Sequence, residues 1–590
     1  MSIKSRLIQS KTQWLATFSR FPIAIVLLVI AVMFTIATIH SEGESDYLNQ
    51  VLSLGIGALI LVTIQLYSER STLSRIHVLG IKLVSLLLPL LYYFYLRQAP
   101  MKIGQSGNIR TMVLYFVLVV LLLSVPTIRS RISFSDSLIL FIKAFFASLL
   151  ISIILYIGIS AILSAYSTLI ADINFRWFAD SGAVVFMFIA PVYFLTRIPV
   201  LNDETHRSDI DEAISIPPLM NILITYIIIP VLLVFSAILI AYILINISGE
   251  FWRDNLLEPM LISYTIIGIV TLFLAENVDK KLPRLFSRFF PYLLLVIAIF
   301  QTISSSLKTF DIGLTHGRYF VLLFGIFSII STLIYSFLKG RKILIPFLLI
   351  GLGVISILPV VDAVSIGINN QLNKVNSIAA SAGVDAETTE ELDETLSDDE
   401  KAQFTYSMNY LNQQEQLDQL DWLPENFSYY RDFEQTFGFD SSFHYYYGED
   451  FDGFGPTGPG SNYAYIELDM ARPNVIPIAD ADELVELATY QGSRINVDLD
   501  NEPFTLRFVA EREELSVEIL EDEQSVLDFD LGFVLDSVWE FSPEDAQRSL
   551  EEMQFTEEND AISLSVIVKR LAVQDNTYIE GEFIILITYK

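Results

Sequence analysis

Lys339-Gly340-Arg341-Lys342, then the apolar run Ile343 to Val361, then Asp362 and the amide-rich Asn369-Asn370-Gln371 make up the stretch 339–375 on which the whole reading turns. Three basic residues stand at one end of a run long enough to cross a bilayer, and an acid followed by a polar helix stands at the other. Before residue 339 the chain is almost continuous apolar helix. After 362 it is polar and strongly acidic. The stretch therefore separates an α-helical polytopic membrane domain from a C-terminal soluble α+β domain, helices first and antiparallel strands after.

Charge follows the same division. Residues 362–590 hold 50 Asp and Glu against 11 Lys and Arg, and residues 1–361 hold 18 against 26. The halves carry −39 and +8, so they belong in different environments. A domain at −39 has no basic face for nucleic acid and no attraction to anionic lipid. With no cysteine in 590 residues, disulfides, thiol catalysis and cysteine-zinc sites are excluded. Ile36-Ala37-Thr38-Ile39-His40 is a poor cleavage site, so the first apolar run reads as a retained span and not a signal peptide.

Outward from the junction, eleven spans are expected, near 21–39, 51–67, 77–96, 111–127, 138–165, 182–198, 219–247, 260–275, 289–305, 318–338 and 343–361. The second and eighth are short; the fifth and seventh are long enough to tilt or protrude. Residues 1–20, with Lys4, Arg6, Lys11 and Arg20 around Trp14, Leu15 and Phe18, suit an amphipathic helix on the inner surface. Placing the N-terminus inside puts 17 Lys and Arg in inner segments and 7 in outer loops. An odd span number then sets the C-terminal domain outside. Loop 97–110, with Arg97, Lys102 and Arg110, is the dissenter.

Pro89, Pro191, Pro230, Pro346 and Pro359 interrupt spans and permit kinks, or the broken helices of a transporter. Acids are missing from span centres. Gln65, Lys82, Lys143, Asn221 and Gln301 fall within about two turns of a span end, where Lys82 and Lys143 can snorkel. A cavity lined by Lys82, Lys143 and Gln301 would indicate transport, and a dry bundle an anchor. The aromatic and charged residues of 173–180 and 250–254 suit interfacial anchoring.

The remaining boundaries are a helical stalk and subdomain over 362–438, a Gly/aromatic loop over 439–473, and an antiparallel β-rich domain with one helix over 474–590. Ser397 and Glu400 form a capping box for a helix over 397–420. Strands are expected at Arg494–Leu499, Phe504–Phe508, Leu515–Ile519, Val526–Leu531, Ile562–Leu571 and Tyr578–Tyr589, with a hairpin turn at 521–524. Ser542-Pro543-Glu544-Asp545 starts a helix running to Met553. The loop carries eight aromatics from Phe443 to Tyr465 among glycines and prolines that exclude regular structure; these could stack on sugars, grip a peptide or fold back. Glu449-Asp450-Phe451-Asp452-Gly453 lacks the spacing of a calcium loop, and His444 is alone. No catalytic, cofactor-binding or metal-binding set is expected, and enzyme activity is left open.

Arg20-Phe21-Pro22, Gln371-Leu372, Leu396-Ser397, Asn409-Tyr410-Leu411 and Leu420 to Trp422 resemble a bacterial membrane family catalogued as domain-of-unknown-function family 4153. Gly367-Ile368-Asn369-Asn370-Gln371 and Gln413-Gln414-Glu415-Gln416 depart from its usual pattern. The resemblance implies many spans followed by an α/β-containing region in the bacterial cytoplasmic membrane, and supplies no activity. Three roles are expected: an anchor displaying an acidic domain to an envelope protein or cell-wall component, a transporter with a substrate-receiving domain, or an intramembrane enzyme acting on lipid-linked substrates. In each the bilayer is a partner and nucleic acid is not.

Overall fold

The computed structural model describes residues 13–41, 47–71, 74–99, 105–171, 173–202, 206–246, 258–338, 340–359, 361–382, 395–424, 427, 429–439, 463–468, 481–490, 493–499, 503–510, 515–521, 524–537, 547–574 and 577–590. Two compact units emerge: Met1–Asn376 with Tyr410–Leu420, and Ser377–Asn409 with Asp421–Lys590.

In the first unit the apolar runs become α1 Pro22–His40, α2 Leu48–Arg70, α3 Arg75–Leu96, α4 Ser106–Ser124, α5 Phe134–Leu169, α6 Arg176–Thr196, α7 Arg207–Ile245, α8 Glu258–Ala275, α9 Lys281–Ile312, α10 His316–Phe337 and α11 Leu344–Ile355. Each expected span finds a helix. Among the described residues nine are long and apolar enough to cross a membrane, while Met260–Ala275 and Leu344–Ile355 are shorter. The doubtful second span is full length at 23 residues, and the fifth reaches 36. The helices bury their apolar faces in two groups. One joins Phe21, Leu61, Leu66, Val125, Phe141 and Val192 from α1, α2, the end of α4, α5 and α6. The other joins Ile139, Ile229, Phe273, Phe290, Phe327 and Ile345 from α5 and α7 to α11. The long α5 supplies residues to both. Leu83, Leu87, Leu91 and Phe94 of α3 stay exposed, as a lipid-facing surface requires.

Local chemistry explains the bends. Val184–Ile189 in α6 and Leu223–Ile228 in α7 are π-turns. Each ends two residues before a proline, Pro191 and Pro230, whose missing N–H disturbs the ordinary ladder there. Pro346 lies in the first turn of α11, where no donor is needed.

In the second unit, α13 Asp398–Gln413, whose residues from Tyr410 on belong to the first, begins as its capping box requires: Glu400 Oε2 accepts from the Ser397 N–H at 3.0 Å. Phe404 on α13 packs edge-on with Phe437 of α14 Tyr429–Phe437 at 5.1 Å between centroids, beside Phe433 and Phe439. The strands are β1 Tyr463–Leu468, β2 Glu483–Tyr490, β3 Ser493–Asp498, β4 Phe504–Ala510, β5 Leu515–Glu521, β6 Gln524–Asp530, β7 Gln547–Arg548, β8 Gln554–Glu558, β9 Ile562–Gln574 and β10 Thr577–Tyr589. They form two sheets, ordered β2-β10-β9-β1-β7 with β8 also on β9, and β3-β4-β5-β6. The pairs are antiparallel except β1 with β7. Alternation turns Leu506, Phe508, Val517 and Ile519 of one sheet and Leu564, Val566, Phe583 and Ile585 of the other into a single core. Phe508 and Phe583 meet across it at 4.8 Å. Polar partners occupy the other face, among them Arg507 with Glu518 at 3.0 Å.

Two expectations are corrected. Tyr463 and Tyr465, assigned to the Gly/aromatic loop, lie in β1, because the glycines and prolines that break structure end at Gly460. In the described part of the helix placed from Ser542 to Met553, Gln547–Arg548 is strand and Leu550–Met553 is helical, with Ser549 and Glu552 as its capping box. Residues 440–462, with His444 and Glu449 to Gly453, lie outside the described residues, as do 250–254 and 542–546.

Candidate functional site

After α11 the chain does not continue as one rod. The helix stops at Ile355, turns at 356–359 and restarts as α12 Ala363–Ser381. The stop has a cause in Pro359, and the restart has one in Asp362. Asp362 Oδ1 accepts from the Val364 and Ser365 N–H groups, each at 3.2 Å, and Oδ2 accepts from Ser365 Oγ at 2.6 Å. The cap is fully buried, at 0% exposure, and a buried carboxylate needs a cation. Arg110 on α4 supplies it, with Nη2 2.9 Å from Oδ1, while Nη1 donates to Tyr95 Oη at 2.9 Å. Burial pushes the Asp362 carboxyl up; the hydrogen bonds from Ser365 and Arg110 and the charge of Arg110 more than offset that and hold it below the ordinary range. Arg110 was one of the three bases that made loop 97–110 dissent from the charge rule. Its place is explained by this partner.

α12 then packs on the turn between α9 and α10. Gly313 there has φ +96°, a conformation only glycine adopts freely. A Cβ on it would stand 2.7 Å from Gln371 Nε2 and 3.0 Å from Asn370 Oδ1. Asn370 Oδ1 accepts from the Leu314 N–H at 2.7 Å. Tyr410 Oη accepts from the His316 N–H at 3.3 Å and lies 3.1 Å from His316 Nδ1. Gly367 lets Tyr410 in: a Cβ there would sit 2.6 Å from Tyr410 Oη and 3.0 Å from His316 N. Gln105, which leads into α4, donates to Glu415 Oε1 at 3.1 Å. One end of the helix bundle is thus a polar cluster made from five parts of the chain.

Part of this cluster is buried without hydrogen-bond partners. Arg318, in the first turn of α10, is 3% exposed and Gln371 is 0% exposed. None of the Arg318 guanidinium nitrogens, and neither polar atom of the Gln371 amide, has a partner among the described residues. Lys308 on α9 is buried too, but it has a partner of its own.

The intramembrane polar residues singled out by sequence do not share one site. Lys82 donates to Gln65. Lys143 Nζ donates to the carbonyls of Glu212, Ala213 and Ser215 at 3.1, 2.8 and 2.9 Å, so it closes the short first segment of α7, Arg207–Ile214, where the helix breaks before it resumes at Pro218. Asn221 accepts from Thr225 Oγ1 at 3.3 Å. Gln301 is buried on α9 with Nε2 unpaired. Arg20 of the quoted Arg20-Phe21-Pro22 grips Glu69 through two bonds of 2.7 Å and also donates to the carbonyls of Ile198 and Pro199. Among the described residues no group of three His, Cys, Asp or Glu could hold a metal.

Sequence reasoning missed Asp362 with Arg110 because 252 positions separate them and no local pattern links them. It counted Arg318 among loop charges. The available signal was an arginine two residues inside a span, just after Gly313 and Gly317.

No curated protein and no solved structure matches the chain. One family model matches residues 24–401, which include Arg110, Arg318, Asp362 and Gln371 and end before the strands. The chain belongs to the family described as a domain of unknown function (DUF4153).

Proposed function

We propose that this multi-pass membrane protein displays its acidic strand-rich domain on the extracytoplasmic side of a bacterial cytoplasmic membrane, where the domain binds an envelope protein or a cell-wall component. The observation that carries the reading is the segregation of charge, −39 beyond residue 361 and +8 before it, with basic residues concentrated in alternate loops. The buried Arg110–Asp362 pair supports it: a capped, ion-paired restart fixes where α12 leaves the bundle. Lys82 and Lys143, the candidates for a conducting path, are occupied by Gln65 and by backbone carbonyls, which favours an anchor over a carrier. Controlled proteolysis within 385–395 on right-side-out spheroplasts tests the reading. Cleavage without permeabilisation is expected, and protection of this linker would place the domain in the cytoplasm.

A second reading, a transporter whose outer domain receives substrate, draws on the buried polar groups of α9, α10 and α12. It predicts solute uptake that depends on Arg318.

A further inference from the structure

Arg318 is a permanent cation with no carboxylate paired to it among the described residues, buried to 3% exposure in an apolar helix bundle. Such burial is strongly unfavourable unless a counter-charge accompanies it. Long side chains of a helix lean toward its N-terminus, a direction that for Arg318 leads back toward the Gly313 turn. Gln371, fully buried with its amide unpaired among the described residues, stands against that same turn, its Nε2 2.7 Å from where a Gly313 Cβ would be. Lys308 lies four residues before the end of α9 and Arg318 two residues after the start of α10. At about 1.5 Å per residue, both stand within roughly 6 Å of the turn, measured along the helix axes. Thr302 next to Gln301 meets Gly325 so closely that a Cβ would come within 2.4 Å, so α9 and α10 run in tight contact below. Gln301, Ser305 and Lys308 are all buried along one face of α9. The N-terminal end of the 22-residue α10 adds its positive dipole end.

We propose that Arg318, Gln371 and Lys308 form a binding site for a phosphate group, presented either as a free oxyanion or as the head group of a lipid. A guanidinium fork, an ammonium and an amide together match several oxygens of one tetrahedral anion, the α10 dipole adds a favourable field, and the anion supplies the missing counter-charge. The inference does not depend on which side of the membrane the acidic domain faces.

The test uses the full-length protein in phosphatidylcholine nanodiscs, with thermal unfolding followed as inorganic phosphate replaces acetate at constant ionic strength. A parallel series replaces part of the phosphatidylcholine with phosphatidylglycerol and contains no phosphate. A ligand of the folded state raises the unfolding midpoint with its concentration. A rise with inorganic phosphate identifies a free anion, and a rise with phosphatidylglycerol alone identifies a head group. Arg318→Lys, which keeps the charge and loses the fork, is expected to weaken binding about ten- to a hundredfold. Gln371→Glu leaves Arg318 in place, sets a negative charge beside the Gly313 turn and is expected to abolish the rise; it decides the matter if Arg318→Gln fails to fold. No rise in either series, or a rise that Gln371→Glu and Arg318→Lys leave unchanged, overturns the proposal.

Discussion

The Arg110–Asp362 pair shows how one residue can decide a junction. Asp362 caps α12 and is too deeply buried to stand alone, so removing its partner leaves an uncompensated charge. Arg110→Met is expected to lower unfolding stability by about 3–5 kcal/mol, and Arg110→Met with Asp362→Leu to recover part of it, measured by denaturant titration in detergent. The pH sign follows from the depressed carboxyl: its stabilising contribution is present above the unfolded value of about 3.9 and is lost as pH falls through the folded one. The melting-temperature gap between wild type and Asp362→Asn should therefore be full near neutrality and shrink in strong acid. Gly367 is a second decisive residue. Gly367→Ala is expected to destabilise by about 1–3 kcal/mol because the new methyl meets Tyr410 Oη and the His316 backbone. Adding Tyr410→Phe should return part of that loss on melting, since it removes the atom 2.6 Å away.

At the scale of elements, most of the membrane helices were legible because their signal is local: a long apolar run between charged or glycine-containing ends. β3 to β6 were legible for the same reason, as period-2 alternation such as Arg494 to Leu499. The helix expected from Ser542 was not, because Ser549 with Glu552 offered a second capping signal seven residues on and residues 547–548 pair with β1 instead. The last span and the polar helix after it do not form one rod. Hydropathy continues smoothly to Val361, but Pro359 and the Asp362 cap divide it into α11 and α12, and Gly367 serves close packing within α12. Gly313 carries the neighbouring turn at φ +96°, so Gly313→Ala should lower the melting stability by about 1 kcal/mol or more, from backbone strain and from the clash with Gln371.

At the scale of the whole molecule, composition separated a helical part from a strand-bearing part, while the compact units divide after Asn376 and return Tyr410–Leu420 to the first, and the polar cluster stayed hidden. Arg110 meets Asp362, and Gln371 meets the Gly313 turn, only when α4, α12 and the turn between α9 and α10 pack, and sequence separation conceals such pairs in any single chain. What composition predicts is a sidedness, through the basic loops and the acidic domain. Because the chain has no cysteine, one introduced thiol reports its own side of the membrane. Ser19 and Asp560 are both exposed, the first before α1 and the second between β8 and β9. Labelling of Ser19→Cys and Asp560→Cys in intact spheroplasts with a membrane-impermeant maleimide is the most direct measurement. The account predicts that Asp560→Cys labels at once and Ser19→Cys only after permeabilisation; labelling of both, or protection of Asp560→Cys until the membrane is opened, contradicts it.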